Sequence, residues 1–291
     1  MQRTTGFRTG SLLFLLPALL LFAAYFIYPV GYVVTISLMK WDGLSRPEFV
    51  GLRNFMGLFQ DDVFRTSIRN NLIWAFAEGF IQVPLAILVA LLLSRKPKGW
   101  KLLRTIYFFP HVISGIALAM MWSAVYNNEY GLLNGFLQWI GLPQWQHNWL
   151  GGLGTAFPSV LAYGLLYIGY FMVIILAEIS SIPKSYYEAA SIDGATRMQQ
   201  DWHITLPLIR GAVATCVTLA MVYGLRQFEQ VFLLTGGGPA NSSSVLVLYL
   251  YKELQNFHYG TANALGTVLI AVGVAVIVTV RKLFGAAKYD M

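Results

Sequence analysis

Between Arg8 and Lys40 the chain carries no charged residue. An apolar run of this length exceeds the about 20 residues that a bilayer-spanning helix needs. Six such segments are expected, over about 12–37, 71–93, 106–125, 157–176, 208–230 and 262–280. The composition agrees. Hydrophobic residues make up 57% and charged residues 11% of the chain, against about 25% charged in an ordinary soluble domain. These values exclude a disordered protein, a soluble enzyme and a nucleic-acid binder of the usual kind. Arg3 and Arg8 precede the first run as in a signal peptide. However, the apolar stretch is too long for a signal core and no small-residue cleavage site follows promptly, so an uncleaved anchor is expected. The single cysteine, Cys216, can form no disulfide within the chain.

The net charge of +7 reads as membrane orientation rather than as a basic patch. Arg95, Lys96, Lys98, Lys101 and Arg104 lie between the second and third runs, whereas 126–156 has no Lys or Arg. Arg281, Lys282 and Lys288 follow the sixth run. This bias predicts that both termini and the second and fourth connections are cytoplasmic. The segment from Lys40 to Arg69 runs against it, with basic residues on the outer side that Asp42, Glu48, Asp61 and Asp62 partly offset. The expected fold is all-α: a polytopic bundle of six transmembrane helices forming one domain over 1–291.

The fourth connection, SSIPKSYYEAASIDGATRMQQDWHITLP over 180–207, is polar and still helical in character. Pro183 suits a helix entry. Ser185 and Glu188 have the spacing of a capping box, and Asp193-Gly194 ends the helix with Gly194 in a left-handed position. A second short helix from about Ala195 then leads to Pro207. A helix–turn–helix outside the bilayer, with Ala189 and Ala190 on its surface, suits either close approach by another protein or a plain connector lying on lipid.

The string EAASIDGATRMQQDWHITLPLI resembles the EAA loop of ABC-transporter permeases, through Glu188, Ala189, Ala190, Gly194, Ile204, Leu206 and Pro207. FVGLRNF at 49–55 and LLTGGGP at 233–239 resemble the sugar-permease branch, and within it the first of the paired maltose and glycerol-3-phosphate type permeases, in a compact six-span version. The resemblance covers nearly the whole chain. It implies a non-catalytic subunit of a bacterial inner-membrane importer, paired with a second homologous permease and served by two ATP-binding subunits and an external solute-binding protein. The loop 181–207 would form a cytoplasmic coupling helix between the fourth and fifth spans, with Glu188, Ala189, Ala190, Asp193 and Gly194 meeting an ATPase. The chain has no GxxxxGK[ST] phosphate loop, so no cofactor is expected in it; ATP and Mg would be bound by partner subunits. The outer segments 127–155 and 235–258 are candidates for docking the solute-binding protein.

Polar residues within the spans are the remaining signal, because charges in a bilayer are costly and mark protein interiors or aqueous paths. Asn71, Glu78 and Gln82 share one helix face, which suits either an interhelical hydrogen-bond network or a path. Arg226 and Glu229 are spaced to pair, beside Gln227 and Gln230. Tyr163, Tyr167 and Tyr170 form one stripe, suited to helix packing or to stacking on the C–H face of a sugar. The family resemblance favours a carbohydrate site from Tyr163, Tyr167, Tyr170, Tyr223 and Gln227, with Arg226, Glu229 and Glu78 nearby. A polyol or glycerophosphate solute, or an ion-coupled carrier, is the alternative. No metal site is expected, since the four histidines lack ligand spacing.

Overall fold

A computed structural model describes residues 9–284. Arg3, Arg8 and Lys288, on which part of the orientation reading rests, lie outside them. In chain order the helices are α1 (Phe14–Ser37), α2 (Arg53–Gln60), α3 (Asp62–Ser94), α4 (Trp100–Val112), α5 (Gly115–Val125) and α6 (Leu132–Trp139). They continue as α7 (Ala156–Leu165), α8 (Gly169–Ser181), α9 (Lys184–Ile192), α10 (Arg197–Leu208), α11 (Arg210–Leu225), α12 (Glu229–Leu234), α13 (Leu246–Gln255) and α14 (Tyr259–Leu283). Two short strands, β1 (Met39–Lys40) and β2 (Glu48–Phe49), pair antiparallel, so the all-α expectation holds except for this ribbon.

Four helical stretches are long and apolar enough to cross a membrane: α1, α3, α7 with α8, and α14. Two further stretches are bent pairs. α4 and α5 meet at 102°, and α10 and α11 at 70°. The third run, expected as one span over 106–125, is therefore broken at 113–114, whereas the α10–α11 bend falls at 209, where the expected short helix leads into the fifth run. Pro110 and the extended Ile113 end α4, because a proline lacks the N–H that would continue the ladder.

The chain forms two compact units. The first comprises the described residues up to Gln60 together with 250–268. Here α1 exposes its side chains almost all round, with Phe14 85% and Tyr25 78% accessible, as suits contact with lipid. Its end is capped by Asn54, whose Nδ2 donates to the carbonyls of Ser37 and Met39, both at 2.8 Å. The β1–β2 turn is closed by Asp42, which accepts from the hydroxyl and N–H of Ser45 and from the N–H of Leu44. The Ser45 hydroxyl and these N–H groups hold its carboxyl down to about 2.

The second unit comprises 61–249 together with the described residues from Leu269 onward. Its core joins the last half of α3 (Val83, Ala86, Ala90) to α8 (Met172, Ile175, Ile179) and α11 (Cys216, Val217, Ala220). Alanines at the contact let these helices approach closely, which matters in lipid, where apolar burial gains little and packing decides. At Gly224 a Cβ would lie 2.7 Å from the Cα of Ala75, so only glycine allows this crossing. Between Glu78 and Gln82 α3 widens into a π-turn.

Candidate functional site

In the second unit, the backbone is irregular where it surrounds a cavity of about 490 Å³. The α4–α5 bend lies at 113–114, α7 and α8 are separated at 166–168, and α11 and α12 at 226–228. All three interruptions supply lining residues, as does the π-turn of α3. Irregular backbone at membrane depth is tolerated only inside protein or beside an aqueous space, because freed carbonyls need partners.

Those partners come from α3. Asn71 Nδ2 donates to the carbonyls of Gly224 (3.1 Å) and Leu225 (3.0 Å) at the end of α11. Gln82 Nε2 donates to Gly164 (3.0 Å) and Tyr167 (3.2 Å) at the α7–α8 gap. Between them Glu78, also buried, accepts from Trp74 Nε1 and Gln227 Nε2, each at 2.9 Å. The shared face read from the sequence thus joins the second unit's broken helices. Asn71 makes only structural bonds and does not line the cavity. Glu78 and Gln82 make structural bonds and line it as well.

Of the residues expected at a carbohydrate site, Tyr163, Tyr167, Tyr170, Tyr223, Gln227, Arg226 and Glu78 all line the cavity. They are not equivalent. Tyr163 is 1% exposed and packs edge-on against Trp122 at 5.6 Å. The Tyr167 hydroxyl accepts from Trp122 Nε1 at 2.5 Å. Tyr170 faces Tyr223, which is 45% exposed, at 6.4 Å. The open part of the wall is therefore Tyr170 and Tyr223, while Tyr163 is mostly packing.

Glu229 is not among the lining residues, and no ion pair joins it to Arg226 among the described residues. The expected pairing assumed a continuous helix. In fact α11 ends at Leu225, and Phe228 has φ −140° and ψ −61°, so the three-residue offset no longer puts the two side chains on one face. The Glu229 carboxylate instead lies against Gly115, where a Cβ would come within 2.8 Å of it.

The lining also includes His111 and Gln230, which the sequence did not assign to the site. His111 stacks on Tyr170 at 6.2 Å and meets Tyr167 edge-on at 6.3 Å. Its signal was Pro110, which marks a break within the third apolar run. Gln230 has its Oε1 buried without a hydrogen-bond partner, a cost of about 1–3 kcal/mol unless a ligand or water donates to it. Nothing in one sequence points to that.

The connection after α8 has the helix–turn–helix form. α9 starts after Pro183, but the Ser185–Glu188 capping box is absent, because Pro183 itself occupies the cap and no side chain accepts there. The capping box lies one helix later: Thr196 and Gln199 bond reciprocally at the start of α10. The end of α9 is as read. Gly194 has φ +78°, its N–H reaches the carbonyl of Ser191, and the Ala195 N–H reaches that of Ala190, which is a full Schellman ending. Glu188 and Ala189 are exposed, and Asp193 and Gly194 follow them at the exposed turn.

A multi-pass helical bundle whose broken helices surround a polar cavity is the architecture of a membrane transport protein. Residues 82–287 match the family described as binding-protein-dependent transport system inner membrane component, and the chain belongs to that family. The chain is 36% identical to the probable ABC transporter permease protein YurN of Bacillus subtilis, over 96% of this chain and 97% of the relative. It is 33% identical to the diacetylchitobiose uptake system permease protein NgcF of Streptomyces coelicolor, over 96% of this chain and 84% of the relative. A crystal structure of a bacterial ABC transporter involved in import of the acidic polysaccharide alginate contains a similar chain. It has 26% identity and a TM-score of 0.80, with 94% of both chains covered.

Proposed function

We propose that this chain is the permease subunit of an ATP-driven importer for a sugar or oligosaccharide and forms half of its pathway. The observation that carries this reading is the cavity with Tyr170 and Tyr223 on its open wall, beside the amides of Gln82, Gln227 and Gln230 and the carboxyl group of Glu78. Tyrosine rings stack on the apolar faces of a sugar while their hydroxyls and the surrounding amides meet its rim. A phosphate ester would call for several converging cations, whereas Arg226 is the only Arg or Lys in the lining among the described residues. The similarity to uptake permeases for diacetylchitobiose and multiple sugars supports the same class.

In this reading both bent pairs cross the bilayer, giving six spans. The termini and α9 face the cytoplasm, and α9 is the coupling helix that seats Glu188 and the Gly194 turn in an ATP-binding subunit. Hydrolysis and its Mg²⁺ belong to that subunit. A second permease completes the path, and an external binding protein delivers the solute at the outer segments 127–155 and 235–258. An alginate importer has been solved with its oligosaccharide-bound periplasmic protein, and its similar chain supports this arrangement.

Purification from native membrane in mild detergent tests the assembly. Co-recovery of a second permease and an ATP-binding chain is expected. Recovery of this chain alone, moving solute in liposomes without ATP, would overturn the reading. At residue level, Tyr170→Ala with Tyr223→Ala should weaken solute uptake by roughly 25-fold, at about 1 kcal/mol per lost stacking contact, with assembly unchanged. Full uptake in that double variant returns both rings to packing. Gln230→Leu separates the two roles of a buried amide. Thermal stability should hold or rise as the orphan acceptor is removed, while uptake falls; a fall in stability with normal uptake would assign Gln230 to the scaffold.

A further inference from the structure

A second cavity, of about 320 Å³, lies between the end of α3, the end of α8 and the segment formed by α9 and α10. Its wall carries Arg95, Lys96, Lys184 and Arg197, with Asp201 as the only acid. Arg95 pairs with Asp201. Lys96, Lys184 and Arg197 have no acidic partner among the described residues, so three cationic charges face one cleft uncompensated.

The cleft adjoins an apolar one. The neighbouring cavity shares Ser94, Lys96 and Ser180 with it and is lined further by Leu93, Val173, Leu176 and Ala177, with Trp100 and Arg104 also in its wall. Trp100 stands at this junction, with the ammonium of Lys96 5.9 Å and the guanidinium of Arg104 5.6 Å from its ring. Lys96 is held in the left-handed region at φ +51°, a conformation that costs a non-glycine residue about 1–2 kcal/mol and so recurs where a side chain has a task.

A cationic cleft opening onto an apolar groove at the end of membrane helices matches one ligand chemistry: a phosphate group carried on acyl chains. We propose that this site binds an anionic phospholipid. The phosphate would sit among Lys96, Lys184 and Arg197, with the chains along Val173 and Leu176. The lipid would then bridge α9 and α10 to the ends of α3 and α8, alongside the Arg95–Asp201 pair. Free phosphate shares the headgroup chemistry but makes no use of the apolar wall. The inference rests on the membrane location and not on the identity of the transported solute.

Native mass spectrometry on the complex purified in mild detergent tests it, titrating phosphatidylglycerol, phosphatidylcholine and inorganic phosphate separately. Phosphatidylglycerol should be retained at least tenfold more tightly than phosphatidylcholine. In the variant K96Q/K184Q/R197Q its affinity should fall by about fivefold per cation removed. Lys98→Gln with Lys101→Gln removes charge from the same connection outside the cleft and should leave retention unchanged. Equal retention of both lipids, an unaffected triple variant, or an equal loss in the Lys98 and Lys101 control would each overturn the site. Binding of inorganic phosphate without lipid preference would overturn the lipid as its source. Retention seen only when the ATP-binding subunit is absent would assign the cleft to that protein.

Discussion

Replacing Glu188 with lysine is expected to abolish solute accumulation while leaving the membrane bundle intact. Glu188 is exposed on α9, makes no side-chain bond to the rest of the chain among the described residues, and precedes a turn fixed by Gly194. Its reversal therefore removes nothing that the second unit needs. If α9 seats in an ATP-binding subunit, a misplaced charge at that contact costs about 2–5 kcal/mol, enough to reduce coupled transport at least about 30-fold. ATPase assays on the reconstituted complex, run beside uptake, should show hydrolysis no longer stimulated by solute. Normal coupled uptake in the variant would remove Glu188 from the interface. A bundle that fails to fold would show that α9 is structural.

The second large effect concerns folding. Gly224→Val places a side chain where a Cβ alone already lies 2.7 Å from the Cα and 2.8 Å from the N of Ala75. Both neighbours are backbone and cannot rotate away, so α3 and α11 must separate. The Asn71 bonds to Gly224 and Leu225 then break with them. A destabilisation of about 3 kcal/mol or more is expected, seen as a lowered unfolding temperature in detergent and poor recovery from membrane. Gly211→Ala is the matched control: no atom lies within 4 Å of its added Cβ, and it should be neutral or slightly stabilising. Equal stability of the two variants would show that the α3–α11 contact is not close-packed.

What could be read from the chain beforehand follows the range of the forces involved. Apolar runs and the Lys/Arg bias are summed over many residues, so the apolar stretches and the Asn71–Glu78–Gln82 face were legible. So was the Gly194 turn, which depends on one residue's backbone freedom. The helix breaks at 166–168 and 226–228 were not, because the carbonyls they release are satisfied by side chains 82 to 154 positions away. The Arg226–Glu229 spacing misled for the same reason: an offset of three has meaning only on an unbroken helix. Thr196 and Gln199 have the same S/T-x-x-E/Q spacing as Ser185 and Glu188, so spacing alone does not say which pair closes as a cap.

The helix interruptions also bear on the electrostatic field inside the cavity. α5, α8 and α12 begin beside it, at Gly115, Gly169 and Glu229, while α4, α7 and α11 end beside it, at Val112, Leu165 and Leu225. Each helix start carries about half a positive charge and each helix end about half a negative one, so three of each largely cancel. The backbone therefore presents donors and acceptors in comparable measure and little net potential. A fully charged solute gains almost nothing from such a backbone. A hydroxyl, which can both donate and accept a hydrogen bond, is matched from either side.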